Sequence, residues 1–256
     1  MTELLVDRAD GVVTVTLNRP ERRNGITWPL IEKLARVLQA ITADPDDRVV
    51  VLTGAGGAFC SGMDLAESIA PDELRFMRRV GHVVTLVHDM PKPVIAKVAG
   101  PAVGFGCNLA LACDLTVAAT SAVFGEIFAD RGLTLDGGGS WILPRLVGLA
   151  KAKELVFFSR RVSGVEAERL GLVNLAVPDD ELDSTVDEWA RTLADGPTLA
   201  LSVMKRELNK ACQSSFAEAI ETESLAQAFS FSSAEAKEGM RAFLQRRPPR
   251  FRTAEK

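Results

Sequence analysis

The sequence predicts an α/β protein built on a parallel sheet and followed by an all-helical C-terminal stretch. Three observations carry that prediction. Short apolar runs bounded by turn residues, Val49 to Thr53 and Val94 to Val98, have the pattern of strands buried on both faces. Amphipathic stretches at helical spacing separate them, the alternation expected of βαβ units. Beyond Val177 no β-rich run occurs, and helical patterns take over.

The elements follow in order. Gly11 to Leu17 is rich in Val and Thr and stops at Asn18-Arg19-Pro20, an opening strand with a polar loop running through Asn24-Gly25. From Leu30 the apolar residues Ile31, Leu34, Leu38 and Ile41 recur at helical spacing. Thr27 is placed to cap that helix, and Asp44-Pro45-Asp46-Asp47 ends it near Ala43. The strand from Val49 comes next, then a helix from about Asp72 to His88, a break at Pro91-Lys92-Pro93 and the strand from Val94. A glycine loop, an Ala/Leu-rich helix and the strand Leu115 to Ala118 complete another cycle, and Leu172 to Val177 is the last β-rich run. Near Asp195-Gly196-Pro197 the character changes. The helical faces beyond are Leu199/Val203/Met204/Leu208, Phe216/Ile220/Phe229 and Met240/Phe243/Leu244, the last opened by a capping box at Ser232-Ser233-Ala234-Glu235. The chain is therefore divided into residues 1–195 and 196–256. The second part is too small to bury much core alone and is expected to pack on the first or on a neighbouring subunit.

Composition narrows the chemistry. The 256 residues carry 30 Lys+Arg against 34 Asp+Glu, a net charge of -4, the wrong sign for gripping a phosphate backbone, so no nucleic-acid partner is expected. The helix from Asp72 carries Arg75, Arg78 and Arg79, but beside Asp72 and Glu73. Two His, four Cys and no Tyr leave little for a metal site or a His-based triad, and no metal is expected. His82 and His88 lie six apart, off one helical face, and read as structural or solvated. Cys60, Cys107, Cys113 and Cys212 form no CxxC pair, which suits a reduced, cytoplasmic setting. The first ten residues hold Glu3, Asp7, Arg8 and Asp10 and resemble no signal or transit segment, and no apolar run approaches the roughly 18 residues of a membrane span.

Two glycine loops each follow a buried strand: Gly54 to Leu65, and Gly100 to Asn108. Glycine allows close backbone approach to a ligand, and free N–H groups at a helix start favour anionic atoms. Neither loop is a P-loop or a dinucleotide fingerprint. The run from Lys92 to Asp114, together with Leu17-Asn18-Arg19-Pro20, Phe59-Cys60-Ser61-Gly62-Met63-Asp64-Leu65 and Gly171-Leu172-Val173-Asn174, resembles the enoyl-CoA hydratase/isomerase (crotonase) family over nearly the whole chain. The resemblance implies a crotonase (ClpP-like) spiral of ββα units with a C-terminal helical trimerisation region, a homotrimer that can stack into a hexamer as a dimer of trimers, and an acyl-CoA thioester substrate with no separate cofactor. It implies an oxyanion hole from the Met63 and Phe105 N–H groups, which would stabilise a thioester enolate. For the substrate and its CoA portion it implies contacts from Arg22, Arg23, Ser61, Asp64, Leu65, Ala66 and Gly104, and from Arg246 of a neighbouring subunit.

The two glutamates that hydration uses in this family are replaced by Asn108 and Phe128, neither of which can move a proton at neutral pH. Glu126 is two residues off the second position and reads as salt-bridged or solvated. Read alone, Asp136 before three glycines is a turn residue or N-cap. The resemblance instead places it where dienoyl-CoA isomerases, epoxyphenylacetyl-CoA isomerases and hydrolytic dehalogenases carry a catalytic aspartate. The segment resembles the epoxyphenylacetyl-CoA isomerases most, through Trp141 and Leu143-Pro144-Arg145. The expectation is an isomerase in which Asp136 shuttles a proton, with Phe128 and Trp141 lining the site and raising its pKa. Competing readings are a hydratase of weak or no activity, an Asp-nucleophile hydrolase, and a non-catalytic acyl-CoA-binding protein.

Overall fold

A computed structural model describes residues 2–67 and 72–254. The chain opens with β1 (Leu4–Ala9) and β2 (Val12–Leu17), an antiparallel hairpin turned by Asp10 (φ 52°) and Gly11 (φ 80°). Two successive left-handed residues are what a tight hairpin demands, and Asp-Gly supplies them. β1 is an addition to the expected strands; its outward charges hide a strand in which Leu4 is the buried residue. Then come α1 (Trp28–Ala43), β3 (Val49–Gly54), α2 (Glu73–His88), β4 (Val94–Val98), β5 (Pro101–Val103), α3 (Phe105–Leu111), β6 (Leu115–Ala119) and β7 (Val123–Gly125). They are followed by α4 (Gly139–Val147), α5 (Leu149–Phe157), β8 (Arg161–Ser163), α6 (Gly164–Leu170), β9 (Leu175–Val177) and α7 (Leu182–Ala194). The last helices are α8 (Thr198–Ala211), α9 (Phe216–Phe231), α10 (Ala234–Leu244) and α11 (Phe251–Ala254).

The large sheet has the order β1-β2-β3-β4-β6-β9 and is parallel from β2 onward; β5, β7 and β8 form a smaller second sheet. The chain thus visits one sheet and then the other, as β4 then β5 and β6 then β7, the spiral course expected of ββα units. β3 is buried along most of its length, as a central parallel strand between covering helices should be. α1 turns Leu30, Ile31, Leu34, Leu38 and Ile41 into the core, and α2 packs beside it through Phe76, Val80, Val83 and Val87. Thr27 and Asp72 cap these helices through bonds from Leu30 N–H and Arg75 N–H.

Cations close several helix ends, where carbonyls would otherwise go unpaired. Lys92 donates to the Ile41 and Asp44 carbonyls, Lys205 to those of Val87 and Lys92 (both 3.2 Å), and Arg48 to those of Ala194 (2.6 Å) and Gly196 (2.8 Å).

Two local expectations are corrected. The last strand begins at Leu175, because Leu172 to Asn174 turn and the Asn174 side chain accepts the Thr116 N–H (2.7 Å). No capping box forms at Ser232 and Glu235: Ser233 caps α10, and the Glu235 carboxylate reaches across to the Leu199 and Ala200 N–H groups at the start of α8. A true capping box occurs one helix earlier, at Ser215 and Glu218. The apolar faces of α8 to α10 are uncovered by their own chain; Phe216 is 83% exposed and Phe243 82%.

Candidate active site

The site forms where the loop after β3 meets the start of α3. Phe59 and Cys60 N–H groups donate to the Pro101 carbonyl (both 3.0 Å), and Val103 N–H returns a bond to Cys60 (3.0 Å). Gly106 makes this approach possible, since a Cβ there would fall 2.2 Å from the Cys60 carbonyl oxygen. Gly62 (φ +91°) approaches less tightly, its ideal Cβ position 3.0 Å from the Val103 carbonyl oxygen and 3.6 Å from the Phe105 nitrogen. Ile26 N–H bonds to the Gly62 carbonyl and Asp64 N–H to the Ile26 carbonyl, so the intervening Met63 N–H faces away from that bridge. Phe105 is the first residue of its helix and has no intrahelical acceptor. Neither the Met63 nor the Phe105 N–H has an acceptor among the described residues. Two amide donors without acceptors therefore stand on two loops that touch.

The surrounding loops are tied down. Asn24, left-handed at φ 58° and fully buried, accepts from Arg19 N–H and donates to the Ala55 (2.9 Å) and Ala58 (2.8 Å) carbonyls. Ser61 bonds through its N–H to Arg23 (2.9 Å) and through its hydroxyl to Arg22 (3.1 Å). Buried Arg19 reaches Asp64 (3.2 Å), Glu67 (2.9 Å) and Glu3 (3.1 Å), holding the segment that follows Met63.

Asp136 approaches from the far side of α3. Its carboxylate caps no helix; α4 has Gly138 at its N-cap, with no side-chain cap. Instead the Asp136 main-chain carbonyl accepts from Gly139 N–H and from Asn108 Nδ2, both at 3.0 Å. Gly137 (φ +52°) lets this loop lie on α3, where a Cβ would sit 3.1 Å from the Phe105 ring and from the Asn108 Cβ. Asp136 Oδ1 is buried with no hydrogen-bond partner among the described residues. Burial pushes the carboxyl up to about 6, with the Asn108 amide opposing.

A cleft of about 470 Å³ joins these groups. Of the residues expected at the site, Arg22, Arg23, Ser61, Met63, Asp64, Leu65, Gly104, Phe105, Phe128 and Asp136 line it. Three do not. Ala66 lies just beyond Leu65 and turns its N–H to the Asp64 carboxylate. Trp141 packs instead against His88, edge-on at 5.5 Å, and under Arg145 at 3.9 Å, because α4 directs that face toward α2. Arg246 is exposed after α10 and does not line the cleft in its own chain. Glu21, Gly25, Ile127, Arg131 and Leu133 also line it, without any local sequence pattern that marks them.

Asn108 is fully buried, and both hydrogens of its amide have acceptors: the Asp136 carbonyl and Glu126 Oε2 (3.4 Å). Glu126 is neither salt-bridged nor solvated, contrary to expectation; it is 2% exposed, and burial together with the nearby Asp136 charge pushes its carboxyl up to about 8. The histidines stand apart from the cleft, His82 beside Gln39 and His88 beside Asp89. Cys60, Cys107 and Cys113 are buried free thiols, raised by burial.

Comparison with known proteins agrees with this geometry. The model of the enoyl-CoA hydratase/isomerase family matches residues 7–254. The chain is 37% identical to the 1,2-epoxyphenylacetyl-CoA isomerase of Escherichia coli, over 98% of this chain and 99% of that protein. It is 36% identical to a probable enoyl-CoA hydratase of Rhodobacter capsulatus, over 95% of each. The crystal structure of an enoyl-CoA hydratase from Bacillus anthracis superposes with a TM-score of 0.93 at 34% identity, covering 97% of this chain and 98% of that one. The fold is the crotonase fold, and the chain belongs to the enoyl-CoA hydratase/isomerase family.

Proposed function

We propose that this protein is an acyl-CoA isomerase that shifts a double bond, or rearranges an aryl-CoA epoxide, through a thioester enolate. One observation carries the reading: Asp136 brings a buried carboxylate oxygen without a partner to the cleft in which the Met63 and Phe105 N–H groups stand free. An acyl proton becomes removable only when the enolate oxygen is stabilised, and two fixed amides in a dry cleft supply that stabilisation. Asp136 takes the proton, and the same carboxyl returns it at another carbon. A carboxyl near 6 suits both steps, being ionised at neutral pH yet more basic than a solvated aspartate. Arg22 and Arg23 at the cleft wall are placed for the anionic part of CoA.

Hydration fits less well, although relatives bear hydratase names. Asn108 has both amide hydrogens engaged, and the Phe128 ring lies near Gly104, so neither position offers a group to activate water. The test is a panel of 3-enoyl, dienoyl, aryl-epoxide and 2-enoyl CoA esters turned over in deuterium oxide and in oxygen-labelled water. A product isomeric with its substrate and free of solvent oxygen is expected, with solvent deuterium entering only as far as the Asp136 carboxyl exchanges before it returns the proton, and Asp136→Asn should lower turnover about 1,000-fold while CoA-ester binding stays within about 2-fold. Solvent oxygen in the product, or retained turnover in Asp136→Asn, would overturn the assignment.

The exposed apolar faces of α8 to α10 are read as the surface on which copies of this chain assemble, as a trimer or a pair of stacked trimers.

A further inference from the structure

Behind the Asp136 loop lies a buried acid that the proton shift does not use. Glu126, just after β7, has no ion-pair partner among the described residues, and its Oε1 has no hydrogen-bond partner there. Its Oε2 accepts from Asn108 Nδ2 (3.4 Å), and the same nitrogen donates to the Asp136 carbonyl (3.0 Å). The amide between them is fully buried, and Gly139 leaves it room that a Cβ, 2.5 Å from Asn108 Oδ1, would take. One buried side chain therefore joins the two carboxyl-bearing segments. A buried acid without a cation costs stability, which points to a functional use for it.

We propose that Glu126 is a positioning residue: in its neutral acid form it holds the Asn108 amide, which holds the main chain of Asp136. This rests on Asp136 being the proton carrier. Burial and the Asp136 charge favour the neutral form of Glu126, against hydrogen bonds from Cys107 and Asn108 that favour the charged one. Cys107 and Asn108 come from α3, Asp136 from its loop, and Arg160 from across a small cavity ahead of β8, with its guanidinium already engaged by Glu154 and Glu166. A charged Glu126 would meet Asp136 without a counter-ion. Near and above about pH 8, where its carboxyl titrates, two buried carboxylates repel each other across Asn108 and the base loses its support.

The test compares Glu126→Leu and Glu126→Gln with the wild type across the acid and alkaline range. Glu126→Leu is expected to lower kcat about 10-fold with KM within about 2-fold, since the substrate contacts are untouched. Glu126→Gln keeps an oxygen facing Asn108 and cannot ionise, so it should recover most of that loss and abolish the alkaline fall in kcat. Carbon-13 NMR of the side-chain carboxyls adds a readout without turnover: Asp136→Asn should lower the midpoint of the Glu126 titration. Equal losses in both Glu126 variants, a rise in KM in place of the fall in kcat, an alkaline limb that persists in Glu126→Gln, or an unmoved midpoint would each overturn the proposal. Loss of activity in Asp136→Asn beside an unchanged kcat in Glu126→Leu overturns the positioning role alone, whereas an active Asp136→Asn overturns the base assignment and this proposal with it.

Discussion

At the scale of single residues, the site is set by where carboxyls are buried and not by how many there are. Asp136 and Glu126 are both raised by desolvation, to about 6 and about 8 from ordinary values of 3.8 and 4.5. The proton shift needs Asp136 ionised, so in steady-state assays kcat/KM should rise with pH through about 6, on the acid side of the alkaline fall expected of Glu126. The stability consequence has the opposite sign. A carboxyl whose folded pKa is raised binds its proton more tightly when folded, so stability present below the unfolded value is lost as pH rises toward the folded one. Denaturant midpoints should therefore fall between about 4.5 and about 8 through Glu126, and Glu126→Gln should remove that part of the slope. Asp136 was visible in the sequence because its motif resembled a family pattern. Glu126 was misread because burial is not local: what desolvates it are α3, the Asp136 loop and β8.

At the scale of elements, the site depends on close approaches that only glycine permits. Gly106→Ala would drive a methyl into the Cys60 carbonyl, part the two glycine loops and destabilise the fold by at least about 2 kcal/mol in urea titration, the overpacking range. Gly139→Ala would displace Asn108, so its damage should fall on kcat more than on KM. The buried strands and the long helices α1 and α2 were legible because period and capping are written in contiguous residues: Thr27 caps as expected, and α2 starts beside Asp72. The short strands β5, β7 and β8 were not, since three residues make no periodic pattern and their pairing is long-range. Glu235 shows the same limit. Its spacing from Ser232 suggested a local cap, but the carboxylate serves the start of another helix. Glu235→Ala should lower the melting temperature by removing acceptors for α8, at a cost of about 1 kcal/mol.

At the scale of the whole molecule, the residues before and after about 195 differ in what they bury. The spiral encloses its own core, whereas Phe216, Phe243 and Leu244 remain mostly exposed, more apolar surface than an isolated chain ordinarily shows. Replacing Phe243 and Leu244 together by Glu should shift sedimentation equilibrium from an assembled to a monomeric mass with the far-ultraviolet circular dichroism unchanged; a monomeric wild type would refute the assembly. By itself the sequence determined the α/β class, the succession of buried strands and amphipathic helices and the two glycine loops, which are properties of residue type and near-neighbour spacing. Its resemblance to a family showed the hydratase glutamates to be missing and supplied the candidate Asp136. Tertiary structure alone decided that the Met63 and Phe105 N–H groups are left without acceptors among the described residues, that Trp141 turns away from the cleft, and that Glu126 and Asp136 share one buried amide. Hydrogen-bond satisfaction and desolvation depend on segments brought together from across the chain, so no local pattern could carry them.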